Sequence, residues 1–464
     1  MEPLETIAKS SDGMWKIGVP VLLIALTIIY LSLGMWYKNQ YGLYRSEATS
    51  IQNLLTVRKH TLALAIEPLT ANTTSVCEEF LRKRGVYTQI TKNATAIVNW
   101  RPMTVRMAGY LGGDNTVLDG VFDMDKGIQL ALHTGARCFI FDVDFLDNRP
   151  CEPCLIHRDD QGIMRSLHTG SIKDGMISLN KRAFSQNYDP VIVVVYLRRL
   201  PEGKKQKANF FKALAASMDP LSTYHLGSTE QGNFHNCRSE SHLFTSEITN
   251  FQKKFIVLCN YNTNLLPSTP NPKDNMDFWT NARLYVDESG KSSTLGSVTN
   301  TVPNGQIPYA QVGATSQLLM IPDSDKAAYK EKSSNTFKVA LSSMSDTFTT
   351  TQISTLLSSL GIQCVPLDVV RLASSPNYTT TLTNARPPNA LEDLSNSTNP
   401  SDPLSFWTYA GWSRKNIIDG FENPEPALTV PVSAPIPGFI IPKPILPKKP
   451  PPSTNSNGGL VNIS

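Results

Sequence analysis

Residues 135–145 read GARCFIFDVDF, and residues 190–197 read PVIVVVYL. Both are short apolar runs rich in β-branched and aromatic residues, the composition of strands buried on both faces. Ahead of the first, Asp123 is placed to cap a helix carrying Ile128, Ala131 and Leu132, with Gly135 just past its end. Between the two runs, Cys154–His157 reads as a short strand and 174–184 as a helix. Beyond them come a helix over 209–218, a buried strand at 255–259 (FIVLC), a helix over 349–360 stopped by Gly361, and a strand over 362–370. Buried strands alternating with helices predict an α/β fold with a parallel sheet covered by helices. An open doubly wound sheet and a (β/α)8 barrel both fit this alternation, and a region of this length accommodates a barrel with insertions.

The rest of the chain divides around that region. Residues 17–37 (IGVPVLLIALTIIYLSLGMWY) hold no charge and have the length needed to cross a bilayer. Trp15, Trp36 and Tyr37 stand at its ends, where aromatic rings favour the interface. The run exceeds a usual signal core and no clear cleavage site follows. A single-pass membrane protein is therefore expected, and the residues do not distinguish a cellular from a virion membrane. Basic residues tie across the span (Lys9 and Lys16 against Lys38 and Arg45), so orientation stays open. Residues 1–16 form an N-terminal tail and 38–95 a stem. Residues 96–420 form the α/β domain, within which 262–316, poor in periodic runs, reads as a long excursion. Residues 421–464 form a tail with 11 prolines, extended rather than packed.

The whole chain has 464 residues, 41% hydrophobic and 18% charged. Its mean hydropathy of −0.19 excludes a polytopic membrane protein. The 43 Lys+Arg against 39 Asp+Glu leave a net charge of +4, which gives no electrostatic footprint for nucleic acid. Seven cysteines are too few for a disulfide scaffold of this size. Cys138, Cys259 and Cys364 fall in apolar strands and read as core. Cys151 and Cys154, followed by His157, form a CxxC pair that reads as a disulfide, as two thiols or, with no second pair in the sequence, less readily as zinc ligands.

Several stretches, in order, resemble the X region of phosphoinositide-specific phospholipase C and its relatives. Gly112-Gly113-Asp114-Asn115-Thr116-Val117-Leu118 resembles the family's Ser-Ser-His-Asn-Thr-Tyr-Leu. Gly135-Ala136-Arg137-Cys138-Phe139-Ile140-Phe141-Asp142 resembles its Gly-Cys-Arg-Cys-x-Glu-Leu-Asp, and Cys154-Leu155-Ile156-His157 its Ile-Ile-Tyr-His strand. Arg182-Ala183-Phe184-Ser185 leading to Pro190-Val191-Ile192 is similar to a helix-to-strand passage there, and 361–367 to a late strand. The resemblance implies a TIM-like barrel with its site at the carboxyl ends of the strands. It implies phosphodiester cleavage by the substrate's own 2-hydroxyl, with two histidines and, in eukaryotic members, a calcium ion held by Asn, Glu, Asp and Glu.

Carried over position by position, Asn115 and Asp142 match metal ligands and His157 matches the second histidine. Three positions depart. Asp114 stands where the first histidine belongs, Ile140 where the first Glu belongs, and Tyr196 where the second Glu belongs. Ile cannot bind a hard cation and Tyr binds one poorly, while Asp beside a phosphate repels it. A two-residue shift, which keeps strand parity, would bring Asp142 and Asp144 onto the Glu and Asp positions. The sequence thus predicts a membrane-anchored, phospholipase-C-like barrel with a degenerate site: catalytic candidates His157 and Asp114, metal candidates Asn115, Asp142 and Asp144. Lipid headgroups or proteins are the expected partners. The alternative is an active phosphoric diester hydrolase in which Asn115, Asp142, Asp144, His157 and Arg158 carry the chemistry.

Overall fold

The computed structural model describes residues 18–42, 45, 96–111, 121–159, 161–185, 187–226, 242–298, 300, 302, 308–334, 336–342, 350–367 and 411–414. All fall in one unit, 1–427; a second unit, 428–464, lies outside them, as do most of the stem and the proline-rich tail. The elements used below are α1 (Gly18–Gly42), β1 (Trp100–Pro102), β2 (Thr104–Arg106), β3 (Tyr110–Leu111), β4 (Val121–Phe122), α2 (Met124–Thr134) and β5 (Cys138–Asp144). They continue with β6 (Cys154–Leu155), α3 (Ile172–Arg182), β7 (Val191–Leu197), α4 (Lys204–Met218), β8 (Phe255–Cys259), β9 (Ala282–Arg283) and β10 (Tyr285–Val286). Last come β11 (Ala310–Ala314), α5 (Asp323–Lys332), β12 (Phe337–Leu341), β13 (Pro366–Leu367) and β14 (Trp412–Arg414).

The two strands that opened the sequence reading are β5 and β7, and they pair in parallel with Cys138 opposite Ile192 and Asp142 opposite Tyr196. Every residue of both is buried. The helix before β5 is bounded as its sequence dictates. The Asp123 carboxylate accepts the Lys126 N–H at 3.0 Å, and Gly135 leaves the helix at φ 102°, a left-handed conformation that costs glycine little. Helix α3 is capped by Ser171 and runs from 172 to 182, two residues earlier at each end than expected. Helix α4 begins five residues before its expected start, at a lysine-rich turn without apolar period.

Parallel pairing continues on both sides. In order, β13, β2, β5, β7, β8 and β9 form one sheet, with β6 antiparallel at the end of β5. A second parallel sheet runs β10, β11, β12. The two share the run 282–286, which carries β9 and β10 with Leu284 between them. At the other junction, Cys364, two residues before β13, bridges in parallel to Val339 of β12. The segment 262–316 is therefore not an excursion. It supplies β9, β10 and β11 to the sheets. Its strands β9 and β10 are two residues long, too short to leave a period in the sequence.

Alternation along each strand separates two faces. Phe139, Phe141, Val143, Val191, Val193 and Val195 join Ile128 and Leu130 of α2, Met176 and Leu179 of α3, and Phe210 and Leu214 of α4 in one apolar cluster. Burying such a side chain contributes roughly 1.5–3 kcal/mol. The even-numbered residues Thr104, Arg106, Cys138, Ile140, Asp142, Asp144, Ile192, Val194 and Tyr196 belong to the opposite face. There Cys138 and Cys364 lie 3.7 Å apart, Sγ to Sγ. Cys138, Cys259 and Cys364 are buried free thiols, the core residues expected. The segment 350–360 is helical but changes to a wider π-type turn over 355–359 before Gly361 ends it at φ 68°.

The apolar run near the amino terminus is the single helix α1 among the described residues long and apolar enough to cross a membrane. It extends to Gly42, five residues beyond the expected span. A signal sequence meets the same test of length and composition.

Candidate functional site

The carboxyl end of β5 brings Asp142 and Asp144 to the even-numbered face, two residues apart, and both are buried. Asp142 is held by Arg106 of β2 in a bidentate pair: Nε donates to Oδ2 at 2.5 Å and an Nη to Oδ1 at 2.8 Å. The other Nη of Arg106 donates to the Ser342 carbonyl just past β12. Asp144 receives two arginines. Arg158 Nε reaches Oδ2 at 2.6 Å and Arg199 Nε reaches Oδ1 at 2.8 Å, and the Phe145 backbone N–H also donates to Oδ1 at 2.8 Å. Arg199 is fixed further by Asp147, by the Phe145 carbonyl, and by lying over the Phe145 ring at 4.5 Å.

Planar guanidinium groups suit this task because their donors match a carboxylate's two oxygens. Arg106 and Asp142 expose only 6% and 3% of their side chains, and Asp144 exposes 1%. The Arg158 and Arg199 side chains expose 23% and 36%. The site thus has a dry inner pair and a wetter outer layer of guanidinium. Arg165 continues that layer, bound to Asp159 in the turn after His157.

His157 follows β6 and is 2% exposed. Its ring stacks on Tyr110 of β3, centroids 4.3 Å apart, and its Nδ1 is buried without a hydrogen-bond partner among the described residues. Burial, and then the Arg106 charge, push its pKa down to about 4, with Asp142 opposing. At neutral pH the ring is uncharged. Tyr196, opposite Asp142 on β7, points its hydroxyl away from the carboxylates, donating to the Leu295 carbonyl at 2.8 Å. Ile140 is buried beside it in the sheet.

Of the residues the sequence singled out, Asp142, Asp144 and His157 gather at this end of the sheet. Asp114 and Asn115 lie outside the described residues. So does the His133 side chain. His168 is half-buried and bonded through Nε2 to the Phe122 carbonyl at 3.1 Å. Cys151 and Cys154 are free thiols, and burial pushes the Cys154 thiol up to about 11. The sequence reading passed over Arg106, Arg199 and Tyr110. The Arg198-Arg199 pair directly after an eight-residue apolar run was the available signal, since charge at the end of a buried strand is costly unless it is used.

A calcium ion takes about six to eight oxygen ligands. Among the described residues no three His, Cys, Asp or Glu side chains converge. The two carboxylates that could begin such a shell are instead neutralised by three arginines. The described donors do not fit calcium.

Neither a family model nor a curated protein matches this chain in sequence. Solved structures similar to it include PLC21 of L. pealei, at 12% identity and a TM-score of 0.45, covering 70% of this chain. Others are a calcium-dependent phosphoinositol-specific phospholipase C from Pseudomonas sp. (9%, 0.35) and a putative glycerophosphoryl diester phosphodiesterase from Silicibacter pomeroyi (11%, 0.31). They cover 62% and 61% of this chain, and it covers 95% and 92% of theirs. The chain spans only 38% of the length of the L. pealei protein.

Proposed function

We propose that this chain is a membrane-anchored barrel of the phospholipase-C-like type whose site binds rather than cleaves. The strand pairings support a closed ring of eight parallel strands, with 282–286 as one of them and 364–367 completing the circuit to β2. Helix α1 supports the anchor. One observation carries the loss of catalysis: each carboxylate at the mouth already holds a cation that belongs to the chain. The Arg106 guanidinium is committed to both oxygens of Asp142 and to the Ser342 carbonyl, whereas a metal ion can keep an open position for a phosphate oxygen. His157, uncharged and buried, supplies no proton to a leaving group near neutral pH. The half-exposed Arg158 and Arg199 are the groups left to meet an anionic headgroup or an acidic protein surface.

The test is turnover of phosphatidylinositol and of glycerophosphodiesters by the full chain in vesicles, with and without calcium, beside a His157→Ala variant. The expected result is no turnover in any arm, with binding to anionic vesicles weakened by Arg158→Gln and Arg199→Gln. Turnover that His157→Ala abolishes would overturn the reading in favour of an active hydrolase.

A further inference from the structure

Two side chains at the end of α1, and Arg45 just beyond it, touch the rim of the α/β domain. The Tyr37 hydroxyl lies 3.2 Å from His168 Nδ1, the Tyr41 hydroxyl donates to Asp123 Oδ2 at 2.9 Å, and Arg45 Nε stands 3.3 Å from the same oxygen. Residues four apart share one helix face, so Tyr37 and Tyr41 form a single stripe, stacked with ring centroids 6.4 Å apart. The stripe is consolidated by ring contacts: Tyr37 meets His168 edge-on at 5.9 Å, and His168 meets Phe122 at 6.1 Å. The tautomer follows from the partners. Nε2 faces a carbonyl and must carry the proton, so Nδ1 accepts from Tyr37.

Topology fixes which rim this is. Helix α2 carries the chain from the end of β2 to the start of β5, so its N-terminus, capped by Asp123, lies at the carboxyl ends of the strands. His168 lies just before the Ser171 cap of α3 and beside β6, at the same end. That end holds Arg106, Asp142, Asp144 and His157. Phe122 also pairs with Tyr110, which stacks on His157, so the helix end is joined to the wall of the site through His168 and Phe122.

We infer that the end of α1 clamps the barrel mouth-down on the bilayer that the helix spans, so that the site reaches only the surface of its own membrane. The inference rests on the membrane-anchored reading above. From Tyr37 to Tyr41 is four residues, or about 6 Å along the helix, so the contact with Asp123 sits within that distance of the interface where Trp36 and Tyr37 belong. Among the described residues beyond α1, four large hydrophobic ones are exposed, and three of them follow strand carboxyl ends on the same side: Ile163, Leu265 and Met320. Ile163 lies between the site arginines Arg158 and Arg165. The partner this face fits is a lipid interface, apolar at its tips and cationic behind them. A cleaved signal sequence has no use for such contacts.

The test uses the full chain in phosphatidylcholine vesicles carrying a headgroup quencher. A fluorescent amino acid is placed at Ile163 on the rim or at Ser185, exposed at the opposite end of the strands. The expected result is quenching at 163 and none at 185, with the difference lost in the double variant Tyr37→Ala/Tyr41→Ala and reduced in Tyr37→Phe/Tyr41→Phe. Equal signals at both positions in the unaltered chain, with the protein still resisting carbonate extraction, would overturn the clamp and leave the anchor standing. Release by carbonate would overturn both.

Discussion

Removing Arg106 tests the inner pair most directly. Its guanidinium and the Asp142 carboxylate are all but dry, at 6% and 3% exposure. In Arg106→Met the carboxylate stays buried without its bidentate partner. Breaking a buried pair from one side costs about 3–5 kcal/mol, because the remaining charge is uncompensated. Asp142→Leu strands the arginine and costs a similar amount. The double variant removes both charges and replaces them with apolar groups, so its loss is smaller than that of either single variant. The three values come from denaturant unfolding of the full chain in detergent, closed as a double-mutant cycle. A second readout follows from His157. The Arg106 charge is the second cause of its lowered pKa and Asp142 opposes it. Arg106→Met therefore raises the imidazole pKa from about 4 toward the ordinary value near 6.5, as read by NMR titration. Single variants that each lose under about 1 kcal/mol and add without coupling would refute the reasoning, because they would show a solvated pair of the surface kind.

Two further outcomes follow from other buried charges. His157 has a folded pKa of about 4 against 6.5 when unfolded, so between those values the unfolded chain binds the extra proton. Stability is fully present above pH 6.5 and falls by about 3 kcal/mol as pH drops toward 4; unfolding midpoints across that window should show the slope, and His157→Gln should flatten it. On the helix-covered face, Asp287 Oδ2 accepts from Lys338 Nζ at 2.9 Å and from the Tyr329 hydroxyl at 2.6 Å, all three groups buried. Asp287→Asn strands an ammonium and should cost about 3–5 kcal/mol. Tyr329→Phe removes one neutral donor and should cost only about 1 kcal/mol; equal losses in thermal or denaturant unfolding would show that the lysine is not dependent on Asp287.

What could be read in advance tracks how local its cause is. The cap at Asp123 and the stop at Gly135 depend on neighbours within a turn, and both stand as the sequence predicts. The parity of β5 is local too, so Asp142 and Asp144 could be set on one face, opposite the phenylalanines, before any fold was known. Their partners could not. Arg106 lies 36 residues upstream in a three-residue strand, TVR, and Arg199 lies 55 residues downstream. Only the parallel register that sets Arg106 beside Ile140, and β7 beside β5, brings them within reach. The two-residue strands of 282–286 escaped for a different reason: their burial is imposed by β8 on one side and β11 on the other, not by their own pattern.

Those long-range arginines decide how two buried carboxylates are accommodated. Without them Asp142 and Asp144 would be buried, mutually repelling charges, which is costly. The fold offsets that repulsion with cations it already carries. The substitution is not equivalent to a metal. A guanidinium directs its donors along fixed lines, and Arg106 spends three of them on Asp142 and the Ser342 carbonyl. An arriving phosphate would have to compete with a carboxylate for donors that cannot rearrange, whereas a metal ion admits it into an open coordination position. On the binding reading proposed above, charge at the mouth is balanced in the ground state rather than held in reserve for a transition state.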